Sequence, residues 1–250
     1  MAYEALSSGA TPIAKIPRDD ADRFLNLFNM VGESPAFRRA TSQILRLASS
    51  DAPVLIEGET GVGKELAARA LHYLSARKEH PFIPVNCGAI PDSLIESELF
   101  GHERGAFTDA KTAHRGIIAQ ASKGTLFLDE VNALSHRAQT ALLRFLHDMN
   151  FRPLGASGEL KADVRIVAAT NEALDQLIRA RTFRADLSFR LNVLSIRIPP
   201  LRERAGDAEL LARHFIDLLS VRYRVQKKRL DADAIASIRA YQWPGNVREL

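Results

Sequence analysis

The 250-residue chain carries a single cysteine, Cys87, so no internal disulfide can form, and such sparing use of thiols fits a reducing compartment. It lacks any run of about 18 apolar residues, which argues against a membrane-spanning helix, and its first residues lack the long apolar stretch of a signal peptide. Together these absences point to the cytoplasm and to no membrane partner. Neither sign of charge dominates: 34 basic and 30 acidic residues leave a formal +4, too mild a balance to imply a nucleic-acid surface. No internal repeat or low-complexity tract is present.

What is present is a run that organises everything else. Gly58-Glu59-Thr60-Gly61-Val62-Gly63-Lys64 follows the apolar Pro53–Ile56 and precedes a segment with helical spacing, Leu66–Leu71. Strand, glycine-rich loop, lysine and helix is the order that wraps nucleotide phosphates. The glycines let backbone N–H groups converge on an anion, the helix N-terminus adds partial positive charge, and Lys64 can reach the β- and γ-phosphates. The bland alternative is a glycine-rich turn before an ordinary helix. Glu65 follows the lysine, where most such loops place a Ser or Thr hydroxyl on Mg²⁺. Either the metal is held from elsewhere or the loop uses another ligand set.

Along the chain, residues 1–26 read as a tail or linker, with helical spacing near Asp22–Phe28. Helical spacing then appears at Pro35–Ala48, Lys64–Ser75, Pro91–Phe100, Ser135–His147 and Asn171–Arg181. Strand-like runs fall between them at Val54–Glu57, Phe82–Asn86, Thr125–Asp129, Val164–Ala168 and Val193–Ile198. This alternation predicts an α/β fold, a parallel sheet with helices on both faces. After Pro199-Pro200 the strands stop, and Asp207–Val221, Asp231–Tyr241 and a segment after Pro244 read as helices. The expected division is a tail over 1–26, an α/β nucleotide-binding core over 27–200 and a helical subdomain over 201–250, incomplete at its C-terminus.

Leu126-Phe127-Leu128-Asp129-Glu130 is an apolar strand ending in two carboxylates. Ligands of open α/β sheets bind beyond the carboxyl ends of the strands, which sets Asp129 and Glu130 beside the phosphate loop. Adjacent strand residues point to opposite faces unless the strand is ending, so the pair can divide duties. Asp129 is the candidate metal ligand, directly or through water, with other positions taken by water and phosphate oxygens. Glu130 is the candidate for polarising the attacking water. Alone, such a pair is a solvated strand end; downstream of a phosphate loop it becomes the second half of an NTPase site.

From about Val31 to Leu250 these residues resemble the AAA+ ATPase domain of the bacterial enhancer-binding proteins, the activators that work with the sigma-54 form of RNA polymerase. That family also has Glu after the loop lysine. Glu98-Leu99-Phe100-Gly101-His102 resembles its Glu-Leu-Phe-Gly segment, and Gly105-Ala106-Phe107-Thr108-Asp109-Ala110 its Gly-Ala-Phe-Thr-Gly-Ala loop. Gly124–Glu130 is similar to its Walker B strand, the 58–64 run to its Walker A loop, and Ala169-Thr170-Asn171 to its first sensor. Phe183–Leu187 and Arg190–Val193 resemble its arginine-finger region, and Trp243–Leu250 its second-sensor motif.

The resemblance implies an AAA+ P-loop NTPase with a helical lid, using ATP and Mg²⁺. It places Val31, Gly32, Gly58, Glu59, Thr60, Gly61, Val62, Gly63, Lys64, Glu65, Thr170 and Arg248 at the nucleotide. Asn171 would position the γ-phosphate or the water; the residues alone allow an amide that caps the following helix as well. Asn86 would restrain Glu130 in one state and release it in another. Arg184 and Arg190 would reach a neighbour's γ-phosphate, where an arginine given in trans raises the rate by roughly 10³-fold or more. On an unbroken helix they stand roughly 240° apart and share no face, and around Asp186 the residues alone read as a surface ion-pair cluster. Arg248 would act in cis, or is a surface arginine, and so close to the last residue its helix is expected to be poorly held.

The resemblance further implies self-association into a ring, a hexamer, whose loops Gly105–Ala110 contact sigma-54 through Phe107 and Thr108. Without it the loop is a turn with Phe107 folded onto the domain. Asp109 stands where the family has its second glycine, and is expected to weaken or alter that contact, with Asp109→Gly strengthening it. Neither a helix-turn-helix nor a regulatory domain is read in these residues, so DNA contact is expected only through a domain outside this chain. Three other functions stay open: an ATPase regulator whose loop no longer engages sigma-54, a AAA+ remodeller of another target, and a nucleotide-gated binding module without turnover.

Overall fold

Ser34 caps the first described helix of this computed structural model, α1 (Pro35–Ala48), its hydroxyl accepting the Phe37 N–H at 3.3 Å while Pro35 occupies the first turn. Residues 28–107 and 110–250 are described; the tail with all but the last residue of its expected helix near Asp22–Phe28, and Thr108 and Asp109 of the loop, lie outside the described residues. β1 (Val54–Glu57) leads into α2 (Lys64–Tyr73), and β2 (Phe82–Asn86) into α3 (Asp92–Phe100). β3 (Gly101–His102) and β4 (His114–Arg115) form a two-residue antiparallel ladder at the base of the 103–113 loop, followed by a single turn, α4 (Ile117–Gln120). β5 (Thr125–Asp129) and α5 (His136–Asp148) come next, then a second small ladder of β6 (Asn150–Phe151) and β7 (Leu160–Lys161). β8 (Arg165–Thr170), α6 (Leu174–Arg179), α7 (Ala185–Leu191) and β9 (Leu194–Arg197) complete the α/β part. Only helices follow: α8 (Asp207–Tyr223), α9 (Ala232–Ala240) and α10 (Asn246–Glu249).

The main sheet is parallel throughout, in the order β2-β5-β8-β1-β9. Period-two alternation divides its apolar side chains between two cores. Leu55, Leu126, Leu128, Ile166 and Ala168 face one way, against α3, α5 and α7 residues such as Ile95, Leu142 and Leu187. Val54, Ile56, Phe127, Val167 and Ala169 face the other, against Ile44 of α1 and Leu71 of α2. Both faces being covered, the central strands are continuous apolar runs.

The buried Arg165 ties these layers at the end of the sheet away from the loop. Its guanidinium donates to the Leu47, Ala48 and Leu71 carbonyls at 2.8–3.1 Å, satisfying the carbonyl ends of α1 and α2.

Two expectations change in detail. The helix expected over Asn171–Arg181 is the shorter Leu174–Arg179, and Thr170 belongs to the strand rather than following it. The Thr170 hydroxyl donates to the Glu172 carbonyl at 2.8 Å and accepts the Glu172 N–H at 3.2 Å, a local turn that delays the helix. The two small ladders and α7 are too short to leave a periodic signature in the sequence.

Candidate active site

The strand register sets the site. Parallel pairing places Asn86 beside Asp129 and Glu57 beside Thr170, so the C-terminal ends of β1, β2, β5 and β8 form one edge. The loop from Gly58 to Gly63 leaves β1 there, with Gly61 and Gly63 at φ 83° and 101°. Gly61 is required twice over: a Cβ on it would also lie 2.2 Å from the Gly245 carbonyl oxygen of the helical subdomain.

A cleft of about 280 Å³ opens at this edge. Its walls include Thr60–Leu66 of the loop, Asp129 and Glu130, the Asn29–Val31 segment, and Val247 and Arg248 of the last helix. Lys64 donates to the Gly58 and Glu59 carbonyls at 2.8 and 3.1 Å, which curls its ammonium over the loop. Burial pushes the Lys64 pKa down, and the facing Asp129 and Glu130 charges hold it back up. Burial raises the Asp129 carboxyl, with Lys64 opposing. A cation and two carboxylates thus meet in one partly desolvated pocket, where charges act more strongly than in water.

Glu130 takes a left-handed backbone conformation, φ 54° and ψ 48°, and its N–H donates to Asp129 Oδ1 at 3.0 Å. The strand has ended at Asp129, so strict alternation of the two carboxylates does not apply. The expected link from Asn86 to Glu130 is not made in this conformation. Asn86 Oδ1 accepts the Gly88 and Ala89 N–H groups at 2.8 and 3.1 Å, capping a short 3₁₀ turn, Cys87–Ala89. Gly88 lies between the two: a Cβ there would meet Glu130 Oε2 at 3.1 Å and Asn86 Oδ1 at 3.3 Å. Asn171 Nδ2 donates to Thr60 Oγ1 at 3.3 Å, while its buried Oδ1 has no partner among the described residues. Thr170 is fully buried, its hydroxyl spent on the Glu172 turn.

The last helix departs from expectation. Arg248 was expected to be poorly held, yet α10 is docked on the phosphate loop. The fully buried Asn246 accepts the Leu201 N–H at 2.8 Å and donates to Glu59 Oε2 and the Thr60 carbonyl at 3.1 and 3.0 Å. The Val247 N–H adds a bond to the Gly61 carbonyl at 3.1 Å. Arg202 also grips Glu59 with both guanidinium arms and, with Asn246, holds its carboxyl down at about 2. Asn246, Arg202 and the pair Arg204 and Asp207 were missed from the sequence. The only available signal was Asn246 after Pro244-Gly245, which reads as a turn residue.

Arg184 and Arg190 are not among the cleft's walls. Arg184 precedes α7 in extended conformation and forms a bidentate pair with Asp186 at 2.7–3.0 Å, which raises its pKa. Arg190, in the last turn of α7, donates to His147 Nδ1 at 3.1 Å. Arg184 lies just outside α7 and Arg190 within it, so the unbroken-helix geometry does not hold. In the loop, Gly105 has φ 82° and Phe107 stands 39% exposed with its ring edge-on to His102 at 4.9 Å. Ala106 and Ala110 close it through backbone bonds to the Glu103 and Phe107 carbonyls at 3.2 and 3.0 Å.

Among the described residues no group of three or more His, Cys, Asp or Glu side chains is placed to hold a metal. No helix among the described residues is long and apolar enough to cross a membrane.

Residues 30–197 match the family model described as the sigma-54 interaction domain, and residues 202–250 that of the AAA+ ATPase lid domain. The chain is 49% identical over 234 residues to the DNA-binding transcriptional regulator NtrC of Bradyrhizobium sp. (strain RP501 Parasponia), covering 94% of this chain and 48% of that protein. It is 47% identical over 246 residues to the phenol regulator MopR of Acinetobacter guillouiae, covering 98% and 44%. NtrX from Brucella abortus, solved in complex with ATP, superposes with a TM-score of 0.81 at 35% identity, covering 88% of this chain and 48% of that one. The chain spans about half the length of the curated relatives it matches.

Proposed function

Because the chain belongs to the sigma-54 interaction domain family of AAA+ fold, we propose that it is the ATP-hydrolysing part of a bacterial transcription activator that remodels the closed complex of sigma-54 RNA polymerase. The observation that carries this reading is the meeting of Lys64 with Asp129 and Glu130 in one cleft at the carboxyl edge of the sheet. The domains are a core ending near residue 200 and a helical lid beyond it, in a cytoplasmic protein.

In this reading Lys64 exchanges the Gly58 and Glu59 carbonyls for the β- and γ-phosphates, and the loop N–H groups from Gly61 to Glu65 line the anion. Glu130 polarises a water for attack on the γ-phosphorus. The new phosphorus–oxygen bond forms as the bond to ADP breaks, and the water's proton passes towards the Glu130 carboxylate. Asp129 would hold Mg²⁺, which when bound would neutralise charge on the phosphate oxygens. Asn171, with its unpartnered Oδ1, orients the water or the γ-phosphate. Release of Asn86 from the 3₁₀ turn it caps lets it reach Glu130 and couple turnover to the loop.

Val31 and Arg248, both in the cleft wall, complete the nucleotide site in cis, with Gly32 following Val31 and the buried Thr170 behind Asn171 rather than on the nucleotide. Arg184 and Arg190, outside this chain's own cleft, serve a neighbour in a ring, a hexamer by family likeness. The Gly105–Ala110 loop, with Phe107 and Thr108, carries the movement to sigma-54. Retained Phe107 favours sigma-54 over another target.

The test is co-migration of the chain with sigma-54 on a native gel. A complex should form with ADP plus a metal fluoride and fail to form with ADP alone. No complex under either condition, from a chain that still hydrolyses ATP, would move the assignment to another remodelling target.

A further inference from the structure

We infer that Arg204, Asp207 and Ser34 are positioning residues for the nucleoside end of the nucleotide, acting by clamping the Val31–Ser34 segment to the start of α8. The inference rests on the nucleotide site proposed above.

Apart from the phosphate loop and the acidic pair, much of the cleft wall is apolar: Met30, Val31, Phe37 and Leu211. Phosphates need N–H groups and cations, so this wall suits a flat heteroaromatic base instead. Phe37 and Leu211 come from α1 and α8, and the other half, Met30 and Val31, belongs to a short segment that leads into α1 and has no strand to hold it. What holds it is an ion pair from the helical subdomain. Arg204 and Asp207 are 3% and 1% exposed and meet at 2.9 Å. Asp207 Oδ1 accepts the Glu33 and Ser34 N–H groups at 2.8 and 2.9 Å, and its Oδ2 accepts the Ser34 hydroxyl at 2.9 Å. Arg204 Nη2 donates to the Val31 carbonyl at 2.7 Å, and the guanidinium lies 3.9 Å from the Phe37 ring centroid.

The two charges thereby hold the clamp together. The Asp207 carboxylate is neutralised and fully bonded, so it presents little repulsion to a polyphosphate. Arg204 itself lines the cleft, with its Nε and Nη2 occupied by Asp207 and Val31. The fit is tight: a Cβ on Gly32 would lie 2.5 Å from Phe37, 2.6 Å from Arg204 Nη2 and 2.7 Å from Asp207 Oδ2. Core and lid therefore share one wall of the base pocket, and the angle between them sets its width.

The test compares ligands that have and lack a nucleoside. Affinities of ADP and of inorganic tripolyphosphate are measured by titration calorimetry on the chain and on Arg204→Lys, which keeps the charge but lacks the second arm to Val31. Arg204→Lys should weaken ADP about tenfold, leave tripolyphosphate within about twofold, and raise KM for ATP with kcat within about threefold, since displaced positioning groups cost affinity where they act. Should Arg204→Lys not fold, Ser34→Ala decides, with a loss of about threefold confined to ADP. Equal losses for both ligands, or none for either, overturn the assignment and leave the nucleotide site standing. A wild-type chain that binds neither ligand removes both.

Discussion

At Glu130 the backbone departs from the strand that delivers it. A left-handed φ of 54° is uncommon for a non-glycine residue and clusters at functional positions. If Glu130 polarises the water, Glu130→Gln should cut ATP turnover by about 10²-fold or more while nucleotide affinity stays within a few-fold. Phosphate release and equilibrium binding measured on one preparation separate the two. His72 offers a second residue-level test. It is fully buried on α2, its Nδ1 2.9 Å from Thr125 Oγ1, and burial pushes its pKa down to about 4 from an ordinary 6.5. A depressed folded pKa means the unfolded chain takes up the proton first. The stability tied to neutral His72 is therefore whole above about pH 6.5 and is lost as pH falls towards 4, by roughly 2–3 kcal/mol. Urea midpoints across that window should fall steeply for the wild type and less steeply for His72→Gln. Parallel curves would rule out His72 as the source. Cys87 is inert for a related reason: burial first, then Asp129 and Glu130, push its thiol up to about 12.

Elements hold the site by contacts that cross the chain. The single turn α10 has little stability alone, and Asn246 compensates by bonding Leu201, Glu59 and Thr60 at once. Because Asn246 sits at φ 54°, Asn246→Gly removes these bonds without straining the backbone. It should lower stability by roughly 1–3 kcal/mol through the orphaned Leu201 N–H and Thr60 carbonyl. Limited proteolysis should then cut first near residues 240–250. An unchanged melting temperature and cleavage pattern would show that the docking contributes nothing. The long central runs of the sheet were readable at this scale, because strands covered on both faces must be apolar throughout. The two-residue ladders around the loop were not, since two residues carry no period.

For the molecule as a whole, Arg184 and Arg190 lie outside the walls of this chain's own cleft, and the proposed ring would put them to use at a neighbour's. Arg184→Ala and Lys64→Ala chains should each be nearly inactive, for different reasons. Mixed, they should regain part of the activity, because a Lys64→Ala subunit still offers its arginine to a neighbour that binds ATP. Specific activity of the wild type should also rise with protein concentration as subunits assemble. Failure of the mixture to recover, with both chains folded, would place Arg184 in a local ion pair with Asp186 and nothing more.

By itself the sequence determined the chemistry and the layering. Gly58–Lys64 between an apolar run and a helix, and Asp129-Glu130 at the end of another, are local patterns, and backbone sterics and period-two burial force their consequences wherever the chain goes. Only the tertiary structure decided what closes the cleft. That Asn246 caps the phosphate loop, that Arg204 and Asp207 hold Val31 and Ser34, and that Asn86 is engaged by Gly88 and Ala89 rather than Glu130 depend on hydrogen-bond partners. In the first two cases those partners lie more than 170 residues apart. A polar side chain has no periodicity that announces its partner, so such pairings become visible only once the packed layers bring the two ends of the chain together.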